Sequence, residues 1–383
     1  MDRDQLVQEL GHAMEDLLQD LPRPERTLLP ALTASVVLEG SVAMARLGAG
    51  IPGLAQDRSK ERRVQRLLAN PRYAVSRLQR RLAARVLQHT QGRLHLLLDA
   101  TTTGATRRHP GTVTLMLAIA HRGRAVPLLW TTWTTDAPDQ QWRVAIRAMG
   151  ETLQPLLPAG TEIVLLADRG LTGRPLVETA RALGWHFTLR AKANATIKCG
   201  EHEPQTFGSL VPEPGSRRSV TEAAIWVPQP KSHHQGAQPD WTRACHANLV
   251  AVWRTGDAEP WLLVTDLAAS RVRCTEYRTR TWEEALFRDL KSMGWNWQAS
   301  RLQSGERVAR LLGILVLATL WMLGVGERVR RRGQRILLEE RSRSCYSLFQ
   351  LGRRAIHRCL TNNQPLPVVL TLASPLGSLR KLS

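Results

Sequence analysis

Two aspartates and one glutamate form the chemical pattern from which the sequence is best read. Asp99 ends the apolar run of LLLDATT, and Asp168 ends that of LLADRGL. A buried strand that runs straight into a charge is costly unless the charge emerges at the sheet edge or meets a cation. The carboxyl ends of strands are also where α/β sheets place their sites. Either aspartate alone would equally suit a structural turn. The glutamate sits in residues 277–291, YRTRTWEEALFRDLK, a strongly helix-forming stretch. At about 100° per residue, Tyr277, Arg280, Glu284 and Lys291 fall within about 60° on one face. Trp282, Leu286, Leu290 and Met293 form the opposite, core-facing stripe. Such a helix would present an acid flanked by three groups able to contact phosphate, although a salt-bridged surface gives the same pattern. Glu283 lies about 100° around the helix from Glu284, off that face.

The elements that must position these residues change character along the chain. Residues 1–92 read as helical and basic: Leu6, Leu10, Met14, Leu17 and Leu18 recur at helical spacing before Pro22 and Pro24. A second helix is expected over 28–47, ending at the Gly- and Pro-rich turn 48–53. Residues 58–85 hold ten Lys or Arg, with Leu67, Leu68, Val75, Leu78 and Leu82 interleaved. That pattern suits helices with one core face and one phosphate-facing face, or equally a solvated charged surface. From Arg93 the period shortens. Strands are expected at 94–98, 112–121, 125–130, 162–167 and 185–190, with helices over 142–156 and 174–183. The result is a mixed α/β core over 93–327. Residues 194–266 interrupt it as a β-rich insertion, with strand-like runs at 223–227 and 249–253. Residues 328–383 open on a basic cluster, Arg328 to Arg335, and read as helical to about Leu360.

Composition narrows the partners. The chain has 383 residues, 53 Lys and Arg against 33 Asp and Glu, and a net charge of +20. Phosphate neutralisation releases counterions, so a polyanionic partner is the simplest explanation of that excess. Five cysteines without a Cys-x2-Cys pair argue against a disulfide framework and for a reducing, cytoplasmic setting. Cys245 and His246 with His233 and His234 lack regular zinc-ligand spacing. Residues 1–20 are acidic and amphipathic, unlike a signal peptide. The apolar run 311–326, sixteen residues, is short of the roughly 20 that a membrane span needs, so a buried helix is expected.

Tyr277-x2-Arg280-x3-Glu284-x6-Lys291 resembles the Tyr-x2-Arg-x3-Glu-x6-Lys signature of the insertion-sequence-four family of DDE transposases, complete at all four positions. The segments around Asp99-Ala100-Thr101-Thr102 and Asp168-Arg169 are similar to its two aspartate blocks, and 260–265 (PWLLVT) to the strand before its helix. The likeness spans about residues 93–325. It implies an RNase H-like fold in which Asp99, Asp168 and Glu284 bind two Mg²⁺ or Mn²⁺ ions and cut double-stranded DNA at inverted-repeat ends. It also implies DNA contacts from Tyr277, Arg280 and Lys291, with Arg169 and Arg190 beside them, and a homodimer on paired ends. Family members cut both strands through a hairpin, stacking a flipped base on a Trp; Trp261 matches that position, with Trp253 nearby. A catalytically idle DNA-binding protein of the same fold is the alternative, against which the intact acids count.

Overall fold

The computed structural model describes residues 2–373 apart from 89, 108, 139–140, 227–240, 242–243 and 340–345. His233 and His234, considered above as metal ligands, lie outside the described residues. Six helices come first: α1 (Arg3–Ala13), α2 (Glu15–Leu18), α3 (Arg23–Glu39), α4 (Met44–Ala49), α5 (Asp57–Ala69) and α6 (Val75–Leu87). Pro24 sits in the first turn of α3, where its missing N–H has no helical partner to lose. The single helix expected over 28–47 is two helices. Gly40, at φ 59°, closes α3 in a left-handed cap and donates its N–H to the Val36 carbonyl.

A ten-stranded sheet follows: β1 (Arg93–Thr103), β2 (Thr112–His121), β3 (Arg124–Thr134), β4 (Glu162–Ala167), β5 (His186–Arg190), β6 (Thr196–Lys198), β7 (Gln205–Thr206), β8 (Arg217–Trp226), β9 (Cys245–Val252) and β10 (Trp261–Thr265). Its spatial order is β3-β2-β1-β4-β5-β10-β9-β8-β6-β7. The β2–β3 hairpin turns at Arg122 and Gly123, both at positive φ, a backbone that matches the twist of the flanking strands. β1, β4 and β5 run parallel and are buried on both faces, which is why their sequences are continuously apolar. Their crossovers carry α7 (Gln141–Leu153) and α8 (Arg174–Ala182).

β10 pairs antiparallel with β5, so the strands of 196–265 extend the same sheet. β8 begins six residues before the expected run because its first half is largely exposed and polar, with Glu222 at φ 54° marking a register shift between Val220 and Ala223. No apolar alternation exists there to read.

Past the sheet come α9 (Val272–Arg278), α10 (Thr281–Leu290), α11 (Gly305–Arg331) and α12 (Leu348–Thr361). The helix α11 is longer than its apolar run and, by length and composition, could cross a membrane, yet 94% of its most apolar window is buried within the protein. It packs against α3, α12 and β3. Contact with α12 depends on two glycines: a Cβ at Gly326 would overlap the Leu348 carbonyl, and one at Gly352 the Met322 carbonyl. We therefore expect Gly326→Val to destabilise the fold by about 1–3 kcal/mol or more through overpacking. Urea unfolding measures this, and an unchanged midpoint would mean that α11 and α12 do not meet so closely.

Candidate active site

Strand register brings the two aspartates together. Leu98 pairs with Ala167 across parallel β1 and β4, so Asp99 and Asp168 are the next residues of adjacent strands and leave on the same face. Neighbouring strands lie about 4.8 Å apart. Each aspartate commits one oxygen locally: Asp99 Oδ1 accepts the Ala100 N–H at 2.8 Å, and Asp168 Oδ1 accepts the Gly170 N–H at 2.7 Å. The other oxygen of each meets the same nitrogen, Arg280 Nη2, at 2.8 Å from Asp99 Oδ2 and 3.4 Å from Asp168 Oδ2. Nη1 of the same guanidinium is ion-paired with Glu284. One guanidinium, its side chain 12% exposed, thus joins all three acids.

Arg280 and Glu284 reach this position through a break in the expected helix. Residues 277–291 are not one helix: α9 stops at Arg278 and α10 starts at Thr281. Bonds of the i→i+3 type bridge the gap, from Thr279 N–H to Glu276, Arg280 N–H to Tyr277 and Glu283 N–H to Arg280. A 3₁₀ turn advances about 120° per residue rather than 100°, so the two helix faces slip in phase. As a result the expected common face divides. Tyr277 turns inward and is 4% exposed, packed with Val250, Leu263 and Cys274. Burial raises its phenol pKa well above the ordinary value. Lys291 ends the segment beside β1, donating to Thr101 Oγ1 and, at 3.1 Å, to the Thr102 carbonyl. Burial lowers its ammonium pKa. Met293, expected in the core stripe, lies beyond the helix and is exposed.

Two acids that sequence reasoning missed shape the surroundings. Glu283 is fully buried in phase with Leu286, Phe287 and Leu290. Burial first, then the charge of Asp99, raise its carboxyl far above the usual range, against the pull of Arg280. Burial therefore favours the neutral form of this acid beneath the site. The signal for it was its place three residues before Leu286, whereas sequence alone set it only about 100° around the helix from Glu284. Glu259 bridges Arg169 at 2.6 Å and Arg190 at 2.8 Å, while Arg190 also donates to the Pro260 carbonyl at 3.1 Å. Arg190 is next after Leu189, the β5 partner of Ala167, so it flanks Asp168.

Trp261, half-buried at the start of β10, meets Tyr277 edge-to-face with ring centroids 5.5 Å apart, and Arg254 lies 4.9 Å over its ring. Trp253 instead donates its Nε1–H to the Asp257 carbonyl at 3.0 Å, within its own turn.

The electrostatics of the cluster are uneven. Burial raises the Asp99 carboxyl pKa above its ordinary value, and Asp168 and Glu284 add to that, while Arg280 and the Ala100 amide oppose it. Three carboxylates against one guanidinium leave an excess of negative charge with oxygen donors only, a set suited to hard divalent cations. Among the described residues no three acids, histidines or cysteines are grouped closely enough to hold an ion as they stand. The acids meet through the guanidinium instead. Because they already converge on a cation, the donor set would fit a divalent ion in place of the guanidinium.

No curated protein matches the chain. Among solved structures, the Argonaute protein of Aquifex aeolicus shows a likeness at 10% identity and a TM-score of 0.24, covering 58% of this chain and 28% of that one. A likeness at that level carries no argument, and the chain spans under a third of that protein's length. The stretch from the strand that leads into Asp99 to the middle of α11, residues 90–321 and more than half of the 383, matches a family described as the transposase DDE domain, and to that family the chain belongs.

Proposed function

We propose that the chain is a DNA transposase of the insertion-sequence-four, hairpin-forming type. In this reading Asp99, Asp168 and Glu284 hold two divalent ions, Mg²⁺ or Mn²⁺, and DNA is cut at paired inverted-repeat ends and joined to a target by a homodimer. The observation that carries the reading is the convergence of all three acids, from two strands and a helix, on the Arg280 guanidinium. The parallel β1–β4–β5 core with its antiparallel β2–β3 hairpin supports an RNase H-like arrangement. The helical, basic segments 1–92 and 328–383 would flank that core and meet DNA or the second subunit.

When bound, the ions supply an activated water or 3′-hydroxyl and stabilise the departing oxygen of an in-line displacement. The chain's own residues do the positioning. The Ala100 and Gly170 amides fix one oxygen of each aspartate, so the free oxygen keeps its direction. Arg280 offsets part of the negative charge until a phosphate offers its guanidinium another bidentate partner. Arg169 and Arg190 are held in reserve by Glu259, which a phosphate would displace. Trp261 offers an aromatic ring beside Tyr277 on which an extruded base would stack, offsetting part of the cost of unstacking.

We expect Asp99→Ala, Asp168→Ala and Glu284→Ala each to lower Mg²⁺-dependent nicking of a transposon-end duplex by about three orders of magnitude or more, with duplex binding retained. Robust cleavage by the Glu284→Ala protein would remove that residue from the catalytic set. If Arg280 occupies the place that ions take, Arg280→Ala should bind Mn²⁺ more tightly than the native chain in the absence of DNA, by calorimetry, while cleaving more slowly. Weaker Mn²⁺ binding would assign the guanidinium a supporting role instead. The neutral acid makes a pH prediction. The Glu283 carboxyl, raised in the fold, keeps a proton that the unfolded chain releases above its ordinary value of 4.5. Stability should therefore fall as pH rises from there. Glu283→Gln, which cannot ionise, should flatten that decline and leave the protein at least as stable at pH 8, as thermal unfolding across pH will show.

A further inference from the structure

The basic residues of the N-terminal helices divide into two groups. On α6, Arg81 pairs with Asp20 through two nitrogens, at 2.5 and 2.9 Å, and Arg85 reaches Asp16 and the Ala13 carbonyl at 2.9 Å each. Arg77 donates to the Asp20 carbonyl at 3.1 Å. Their donors are spent on holding α6 to the segment around α2. The helix α5 is different. Val64, Leu67 and Leu68 are buried, and the Glu61 backbone packs so closely on Gly48 of α4 that a Cβ there would lie 2.8 Å from the Glu61 nitrogen. The opposite face carries Arg58, Arg62, Gln65 and Arg66 within about 120°. Among the described residues, no acid lies within ion-pair distance of Arg58, Arg62 or Arg66, nor of Arg307 in the first turn of α11; Arg66 Nε donates only to the Arg62 carbonyl, at 3.4 Å.

Arg62, Arg66 and Arg307 line a groove of about 790 Å³, with Ser59, Gln65 and Leu302 also on its walls. One wall of the groove touches the end of β1, the strand that carries Asp99. Its Leu302 carbonyl abuts Gly104, where a Cβ would come within 3.3 Å, and Gly104 directly follows β1. Between Gly104 and Asp99 lie Thr101 and Thr102, the residues that Lys291 contacts. Five residues of extended chain cover roughly 16 Å at about 3.3 Å each.

We propose that the groove between α5 and the start of α11 seats the phosphate backbone of duplex DNA inward from the cleaved bond, with Arg62, Arg66 and Arg307 as its phosphate contacts. The identity of the polyanion rests on the transposase reading; the choice of α5 over α6 rests on which arginines already have partners. Unpaired guanidiniums on a helix pinned to the core carry little reorganisation cost and release counterions when phosphate arrives.

The test uses the full chain and a short duplex oligonucleotide, with binding followed by fluorescence anisotropy across a salt titration. Each phosphate contact contributes about 0.9 to the slope of log K against log salt. The triple variant Arg62→Ala, Arg66→Ala, Arg307→Ala should make the slope shallower by about 2 to 3, with the unfolding midpoint close to native. The double variant Arg81→Ala, Arg85→Ala should lower the unfolding midpoint and leave the slope unchanged. A native slope from the triple variant, or an equal loss from the double variant, would overturn the proposal. So would a triple variant that loses affinity only for a single-stranded probe. If the native chain binds duplex through these arginines yet never cuts it, the transposase reading fails and the groove stands. Native cleavage with an unchanged slope in the triple variant gives the converse.

Discussion

Three carboxylates share one half-buried face, and Arg280 is what makes that tolerable. Charges removed from water repel one another strongly, and an unpaired buried carboxylate would take up a proton rather than remain ionised. The guanidinium reduces this cost by contacting all three acids with two of its nitrogens. The rest of the catalytic architecture follows from getting that one group into place. The β1–β4 register must align Leu98 with Ala167, and the segment after β10 must turn so that position 280 faces the sheet while position 277 faces away from water. The same compensation separates two adjacent glutamates. Glu284 is half exposed and ion-paired with Arg280, whereas Glu283, one residue away and fully buried, has its carboxyl pushed well above the usual range by that burial.

Charge is distributed by task across the molecule. The net +20 does not describe a uniformly basic surface. Arginines on α6 are spent on Asp16 and Asp20, Arg169 and Arg190 share Glu259, and Arg93 divides between Glu162 and Glu276. Exposed pairs of this kind contribute little to stability. Those near the acids therefore matter more as counter-charges that a phosphate would replace than as struts. Among the described residues, Arg58, Arg62 and Arg66 on α5 have no acid within ion-pair distance, and on the proposed reading that difference separates a basic helix that holds the fold from one that can meet a polyanion.

How much of this was legible in sequence depended on whether a residue's surroundings are local. Asp99 and Asp168 could be read because an apolar run meeting a charge is a one-dimensional pattern, although β1 continues past Asp99 to Thr103, and so could the four-residue spacing that brings Arg280, the N-cap of α10, beside Glu284. The identity of the partner could not: the helix face suggested phosphate contacts for Arg280, and only the sheet register shows it among the acids. The break at Thr279 escaped notice because no Gly or Pro marks it; the chain tightens into i→i+3 bonds to bury Tyr277 and Thr279, a tertiary demand that propensity does not encode. Glu283 is buried because it shares the face of Leu286, Phe287 and Leu290 within α10, and Met293 is exposed because that helix ends at Leu290. Among the strands, buried β1, β4 and β5 were readable as apolar runs, whereas β8, polar along half its length, was not.

The break also links parts of the site that a straight helix would leave independent. Tyr277 packs its ring edge against Trp261 in β10, and three residues later the same backbone carries Arg280 onto the aspartates. Between them Thr279 is fully buried, its hydroxyl donating to the Glu276 carbonyl at 2.7 Å. Glu276 in turn is held by Arg273 at 2.8 Å and Arg93 at 3.2 Å, at the opening of β1. Burial opposes the ionised form of Glu276, but His95, Arg273 and Arg93 outweigh it and keep its pKa low. The segment 276–280 is thus tied to β1 through Glu276 and Arg280 and to β10 through Tyr277. A displacement of Trp261 would bear on the packing of Tyr277, and so on the segment that places Arg280. On the proposed reading, stacking of an extruded base and release of the guanidinium from the acids would act on one short, rigid stretch of chain. Coupling of that kind needs no moving domain, only two contacts three residues apart.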